Sequence, residues 1–206
     1  MTRAAGAGGG AVPRGRPREF DMEEVLAASV HVFCERGFHG TSIADLAGAT
    51  GLTAGSLYKA FADKNAMYLA ALEWQSTMRD AQLREALGSR ESGLEKVRAV
   101  LEFIADLSTG ASGREGCLVV ETAIGIGALD SGVGRVAARS LDRRRALLVE
   151  LIDLGKADGS IVASADTVSV ATTMLYLTQG MRVIGKTGPD PEAVASVVAT
   201  AMSLLL

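Results

Sequence analysis

The sequence predicts an all-α protein in two parts: an N-terminal three-helix unit built around a helix-turn-helix, and a larger C-terminal helical bundle. Three observations carry this reading. Apolar residues recur at helical spacing from Met22 to the C-terminal end. No stretch alternates apolar and polar residues as a half-buried strand does. Apolar residues make up 48% of the 206 positions while aromatics make up only 4%, a composition suited to closely packed helices rather than to an aromatic-rich β-sandwich.

Residues 1–18 carry Gly8-Gly9-Gly10, two prolines and no large apolar cluster, so they are expected to form a disordered arm. Met22, Val25, Leu26, Ser29 and Phe33 then mark one face of a first helix, with Asp21 as N-cap and Gly37 as stop. Thr41 or Ser42 caps a short second helix through Ile43 and Leu46, and Thr50-Gly51 forms a turn. Thr53 caps a third helix carrying Ala54, Leu57, Tyr58 and Phe61. Asp63 caps a long fourth helix from Lys64 to about Leu87. These elements divide the chain into an arm (1–18), a helix-turn-helix domain (19–64) and a helical domain (65–206).

In the last of these, Leu94, Val97, Leu101 and Ile104 form one stripe. Cys117 to about Ile126 reads as a glycine-interrupted apolar helix. Val133 to Ile152 follows a long amphipathic pattern ending at Gly159, and Thr167 to Ile184 is apolar nearly all round. Asp190-Pro191 places an N-cap ahead of a proline at the first helical position and opens the last helix.

The formal net charge of -3 argues against nucleic-acid binding until its distribution is considered. Arg3, Arg14, Arg16 and Arg18 stand in an acid-free lead, so a basic arm precedes an acidic body. The helix-turn-helix from Thr41 to Phe61 supplies the second element of a DNA reader. Such a unit inserts its second helix into the major groove, N-terminal end first. Here that end is Thr53, Ala54, Gly55 and Ser56, small residues that permit close approach. Tyr58, Lys59 and Lys64 lie beside it, and the helix starts at Ser42, Thr53 and Lys64 offer free N–H groups to phosphate oxygens.

The segment GRPREFDMEEVLAASVHVFCERGFHGTSIADLAGATGLTAGSLYKAFADKNAMYLAAL, Gly15 to Leu72, resembles the N-terminal domain of the TetR family, within a subgroup with a GRPREFD-type lead-in. The most specific pieces are FCERGFHGTS, Ile43-Ala44 and GLTAGSLYKAFADK. A GCL at Gly116 to Leu118 and the MRVIGKTGPD run are similar to that subgroup as well. The resemblance implies a ligand-responsive transcriptional regulator, a repressor, acting as a homodimer on a pseudo-palindromic operator. It implies phosphate contacts from Thr41 and Ser42, base-edge contacts from Thr53, Ala54, Gly55 and Ser56, backbone contacts from Tyr58, Lys59 and Lys64, and minor-groove contacts from Arg16 and Arg18. Asn65 stands where the family carries Glu, and Ala54 lacks a base-reading group, which shifts weight towards shape readout.

An effector site is expected in the second domain, lined by Trp74, Met78, Phe103, Cys117, Thr122, Met174, Tyr176 and Gln179. Such a lining, apolar with few polar groups, points to an apolar or amphipathic small molecule; core packing is the plainer alternative for each residue. Cys117, near a helix start, is also a candidate redox-sensing thiol. Arg143-Arg144-Arg145 reads as a solvated face, and Lys186 as a complement to a helix C-terminus. The apolar last two helices call for a second copy as partner.

His31, Cys34 and His39 do not make a metal site. No catalytic constellation and no cofactor motif is present, so an enzyme is not expected; a helical carrier or adaptor is the other reading to be weighed. Neither a secretory segment nor a bilayer-spanning run is seen, and a cytoplasmic location is expected.

Overall fold

The computed structural model describes residues 20–125 and 131–206. The arm, with Arg16 and Arg18, lies outside the described residues. Among those described, ten α-helices and no strand are present: α1 (Met22–Gly40), α2 (Ile43–Thr50), α3 (Ala54–Ala60), α4 (Lys64–Gly88), α5 (Gly93–Leu107), α6 (Gly110–Glu115), α7 (Leu118–Ile124), α8 (Ser131–Asp158), α9 (Thr167–Ile184) and α10 (Pro191–Met202).

The helix starts follow the capping chemistry of the sequence. Asp21, Thr53, Asp63 and Asp190 each accept a hydrogen bond from a first-turn backbone N–H. Of the two candidates before α2, Ser42 is the cap. Its hydroxyl accepts from Asp45 N while the Asp45 carboxylate accepts from Ser42 N, a reciprocal capping box. Gly37 breaks the helical path of α1 at φ 70°, and a further short turn carries the element to Gly40. Gly51 ends α2 at φ 68°, a left-handed conformation that glycine adopts without steric penalty and that turns the chain into α3.

Two cores result. Phe33, Leu46, Leu57, Met67, Tyr68 and Leu72 centre the first, which binds α1–α3 to the first half of α4 and also takes in Leu118 of α7 and Val136 of α8. Rings reinforce it: Tyr68 meets Phe33 edge-on at 4.9 Å and Phe38 edge-on at 5.3 Å, each pair worth about 0.5–1.5 kcal/mol beyond buried area. The second core, between α4, α5, α8, α9 and α10, contains Leu101, Leu148, Ile152 and Met174. There α5 and α8 touch backbone to backbone: a Cβ on Gly93 would lie 2.1 Å from Gly155 N.

One element was not expected. α6 carries no apolar stripe and is not legible in the sequence. Its Gly113 seats against the Ser108 and Gly185 carbonyls, where a Cβ would lie 2.5 and 3.0 Å from the two oxygens. α7 ends at Ile124 with Gly125 as its C-cap; Ile126, near which its end was expected, lies outside the described residues.

Candidate nucleic-acid interface and effector cavity

The N-terminal end of α3 faces solvent. Thr53, Ala54 and Gly55 are exposed and Ser56 half-buried, while Leu57 anchors the helix in the first core. Thr53 Oγ1 accepts from Ser56 N at 3.1 Å and lies 3.0 Å from Ser56 Oγ. A Cβ on Gly55 would meet only Thr53 Oγ1, at 3.9 Å, so nothing in the fold itself requires glycine there. Tyr58 is 54% exposed and Lys59 is exposed next to it. Ser42 is exposed at the start of α2. Ser42, the α3 tip, Tyr58 and Lys59 are therefore all open to solvent.

Two expected members of this face are spent inside the protein. The Thr41 side chain is buried and donates to Gly37 O at 2.7 Å. Lys64 donates to Phe38 O at 2.8 Å and Thr41 O at 2.9 Å, with its ammonium 4.3 Å from the Phe38 ring centroid. It caps the end of α1 instead of standing free for phosphate.

The second site is a cavity of about 70 Å³ lined by residues of α4, α5, α7, α8 and α9. Phe103, Ile104, Leu107 and Leu141 form its apolar wall. Arg79 and Asp80 from α4, Arg144 from α8 and Arg182 from α9 make the polar part, with Gln75, Gln179 and Cys117. Of the residues expected to line it, Phe103, Cys117 and Gln179 do.

The other five are corrected. Tyr176 is 70% exposed on the outer side of α9. Met174 is fully buried in the second core. Thr122 is buried against Tyr68, its hydroxyl 2.9 Å from the phenol oxygen. Trp74 packs on the first core, and half-buried Met78 lies outside the lining. Helical spacing placed all five on apolar faces, but the face of a helix does not say which of several neighbours it meets.

The charges are corrected as well. Arg144, expected on a solvated face, has a side chain only 13% exposed, and it donates to Asp80 at 3.2 Å. Arg143 donates to the same carboxylate at 3.4 Å. Burial holds the Arg144 and Arg79 guanidinium groups below their usual range; for Arg79, nearby Arg182 adds to this. Lys186 does not merely complement a helix end. It donates to Cys34 O at 3.1 Å and pairs with Glu121, tying the segment after α9 to α1 and α7.

Cys34 is buried, and burial pushes its thiol up to about 12, so it is inert as a nucleophile. Cys117 is partly exposed at the N-cap of α7. Among the described residues no cluster of His, Cys, Asp or Glu is placed to hold a metal, and no helix is long and apolar enough to cross a membrane.

An exposed reading helix on a three-helix head, joined by one long helix to a bundle with a cavity between its helices, defines a helix-turn-helix DNA-binding regulator. Residues 25–71 match the family described as "Bacterial regulatory proteins, tetR family". Residues 93–201 match "Tetracyclin repressor-like, C-terminal domain". The chain belongs to the TetR family of transcriptional regulators, proteins that control transcription rather than catalyse a reaction.

It is similar to the HTH-type transcriptional repressor ComR of Escherichia coli (strain K12), at 28% identity over 196 residues, 93% of this chain and 91% of that protein. Among solved structures it is similar to a cysteine-substituted form of the TetR family regulator CifR complexed with 26-base-pair operator DNA. There the TM-score is 0.83 with 28% identity, covering 93% of this chain and 100% of that one. A TetR family regulator from Cytophaga hutchinsonii shares the fold at TM-score 0.77 and 22% identity, over 88% of this chain and 91% of that one.

Proposed function

We propose that this protein is a ligand-responsive repressor that binds a pseudo-palindromic operator as a homodimer and is released by a small amphipathic effector. The exposed, small-residue tip of α3 carries the reading. Thr53, Ala54, Gly55 and Ser56 lie at base edges, with Ser42, Tyr58 and Lys59 on phosphates. Arg16 and Arg18 reach the adjacent minor groove, where basic arms add affinity and sense groove width. Weak side-chain readout at Ala54 and Gly55 leaves part of the specificity to DNA shape. The protein works in the cytoplasm, where its operator is. ComR is named a repressor and CifR is seen with operator DNA, which supports the direction of control and the partner.

The second copy docks on α9 and α10. The outward residues of α9 include Val168, Thr173, Tyr176, Gly180 and Val183, an uncharged stripe. Val197 of α10 and Leu204 just after it are exposed as well. A two-fold pairing of this face holds two α3 helices about 34–36 Å apart, one turn of DNA.

The effector enters the cavity between α4 and α9. α4 is the link: it carries Gln75, Arg79 and Asp80 of the cavity and begins at Lys64, which holds the end of α1. α7 is a second link, since Leu118 N donates to Gln75 Oε1 at 3.0 Å while Thr122 contacts Tyr68. An effector that prefers one α4 position therefore changes the spacing of the heads, provided that it binds the released state more tightly.

Footprinting on the DNA flanking its own gene is the test. A protected pseudo-palindrome whose affinity falls steeply with salt is expected. No protection in low salt at any protein concentration overturns the reading.

A further inference from the structure

We infer that the effector is an organic anion, a carboxylate on a short hydrocarbon or ring, received by Arg182, Arg144 and Arg79 in the cavity between α4, α8 and α9. This deepens the proposed function and rests on it.

The lining holds three guanidinium groups and a single carboxylate. That carboxylate, Asp80, is already shared between Arg143 and Arg144. Glu115, which acts electrostatically on Arg79 from outside the lining, lies 3.3 Å from the His31 ring. Arg182 is the decisive group. It is 4% exposed and lines the cavity. Its Nη2 donates to Gly116 O, and its Nη1 has no hydrogen-bond partner among the described residues. Arg144 Nη1 is buried and unpartnered in the same way.

A buried guanidinium N–H without an acceptor is disfavoured, the more so where cations outnumber carboxylates. Two such donors, on lining residues of α8 and α9, mark where an anion restores the balance. A carboxylate matches the planar fork of a guanidinium, accepting two parallel N–H bonds. In the same lining, Phe103, Ile104, Leu107 and Leu141 supply apolar surface for the hydrocarbon part. An apolar effector would leave Nη1 of both arginines unpaired.

The test uses the full-length protein with benzoate, phenylacetate and octanoate, each beside its neutral amide of the same shape. Tm is read by scanning fluorimetry, and release from the footprinted DNA by fluorescence anisotropy. At least one acid is expected to raise Tm and release DNA at concentrations where its amide does neither. Arg182→Gln is expected to weaken that acid's binding by about ten- to a hundredfold. Should Arg182→Gln fail to fold by circular dichroism, Arg79→Gln, at a half-buried position, carries the same expectation with a smaller loss.

If no acid exceeds its amide in Tm, or the folded arginine variant responds as the parent does, the inference is overturned. The Tm comparison needs no DNA. Acids that stabilise a protein leaving no footprint would therefore overturn the operator reading and leave the anion site standing.

Discussion

Lys64 shows how a single side chain changes meaning on folding. At the start of α4, beside the reading helix, it has the position of a phosphate contact. Its ammonium instead bridges two carbonyls at the end of α1. Lys64→Ala is expected to lower stability by about 1.5–3 kcal/mol, the range for hydrogen bonds to a charged group, measured as a fall in the denaturant midpoint without DNA. A variant as stable as the parent but weak on DNA would return Lys64 to the phosphate role. Gly55 poses the opposite case. The fold has room for a Cβ there, and alanine favours a helix by about 0.8–1 kcal/mol over glycine. Gly55→Ala is therefore expected to keep or raise Tm while operator affinity falls about tenfold or more, a ~1.4 kcal/mol loss. Unchanged affinity in a gel-shift titration would mean that the α3 backbone does not approach DNA closely.

At the scale of elements, the capping carboxylates couple the helices to pH. Hydrogen bonding with Ser42 holds Asp45 below the usual carboxylate range, and Ser92, Ser160 and Ser169 do the same for Glu95, Asp158 and Asp166. A carboxyl with a depressed folded pKa contributes stability in full above its unfolded value and loses it as pH falls through the folded one. Tm is thus expected to be level from pH 7 to about 5 and to drop below about 4, where unfolded Asp and Glu titrate. Asp166→Asn keeps an acceptor for the Val168 and Ser169 N–H groups but does not titrate, so its acid loss should be smaller. Equal slopes in pH-resolved melting curves would count against this account. The caps at Asp21, Thr53, Asp63 and Asp190 were legible because each lies next to the backbone it serves. α6 was not, because it carries no apolar stripe or side-chain cap and its Gly113 packs against Gly185, a residue far away in sequence.

For the whole molecule, the exposed α9–α10 stripe makes the sharpest prediction. Tyr176→Glu places a charge at the centre of an uncharged face without touching either core. It is expected to yield monomers in sedimentation velocity and to cost operator affinity about a hundredfold or more, since a linked pair of heads gains that much over one. A dimer that survives this change would move the interface elsewhere. The all-helical fold, most helix starts and the helix-turn-helix are written in the chain, since they rest on periodicity and on caps within a few residues of each other. The family match at residues 25–71 belongs to the same class. Which charges become internal depends instead on packing. Arg79, Arg144 and Arg182 come from three helices and meet in one cavity, while Thr41 and Lys64 turn inward and Tyr176 turns out. Each arginine alone reads as a surface charge, and burial beside another cation depends on how helices far apart in sequence pack.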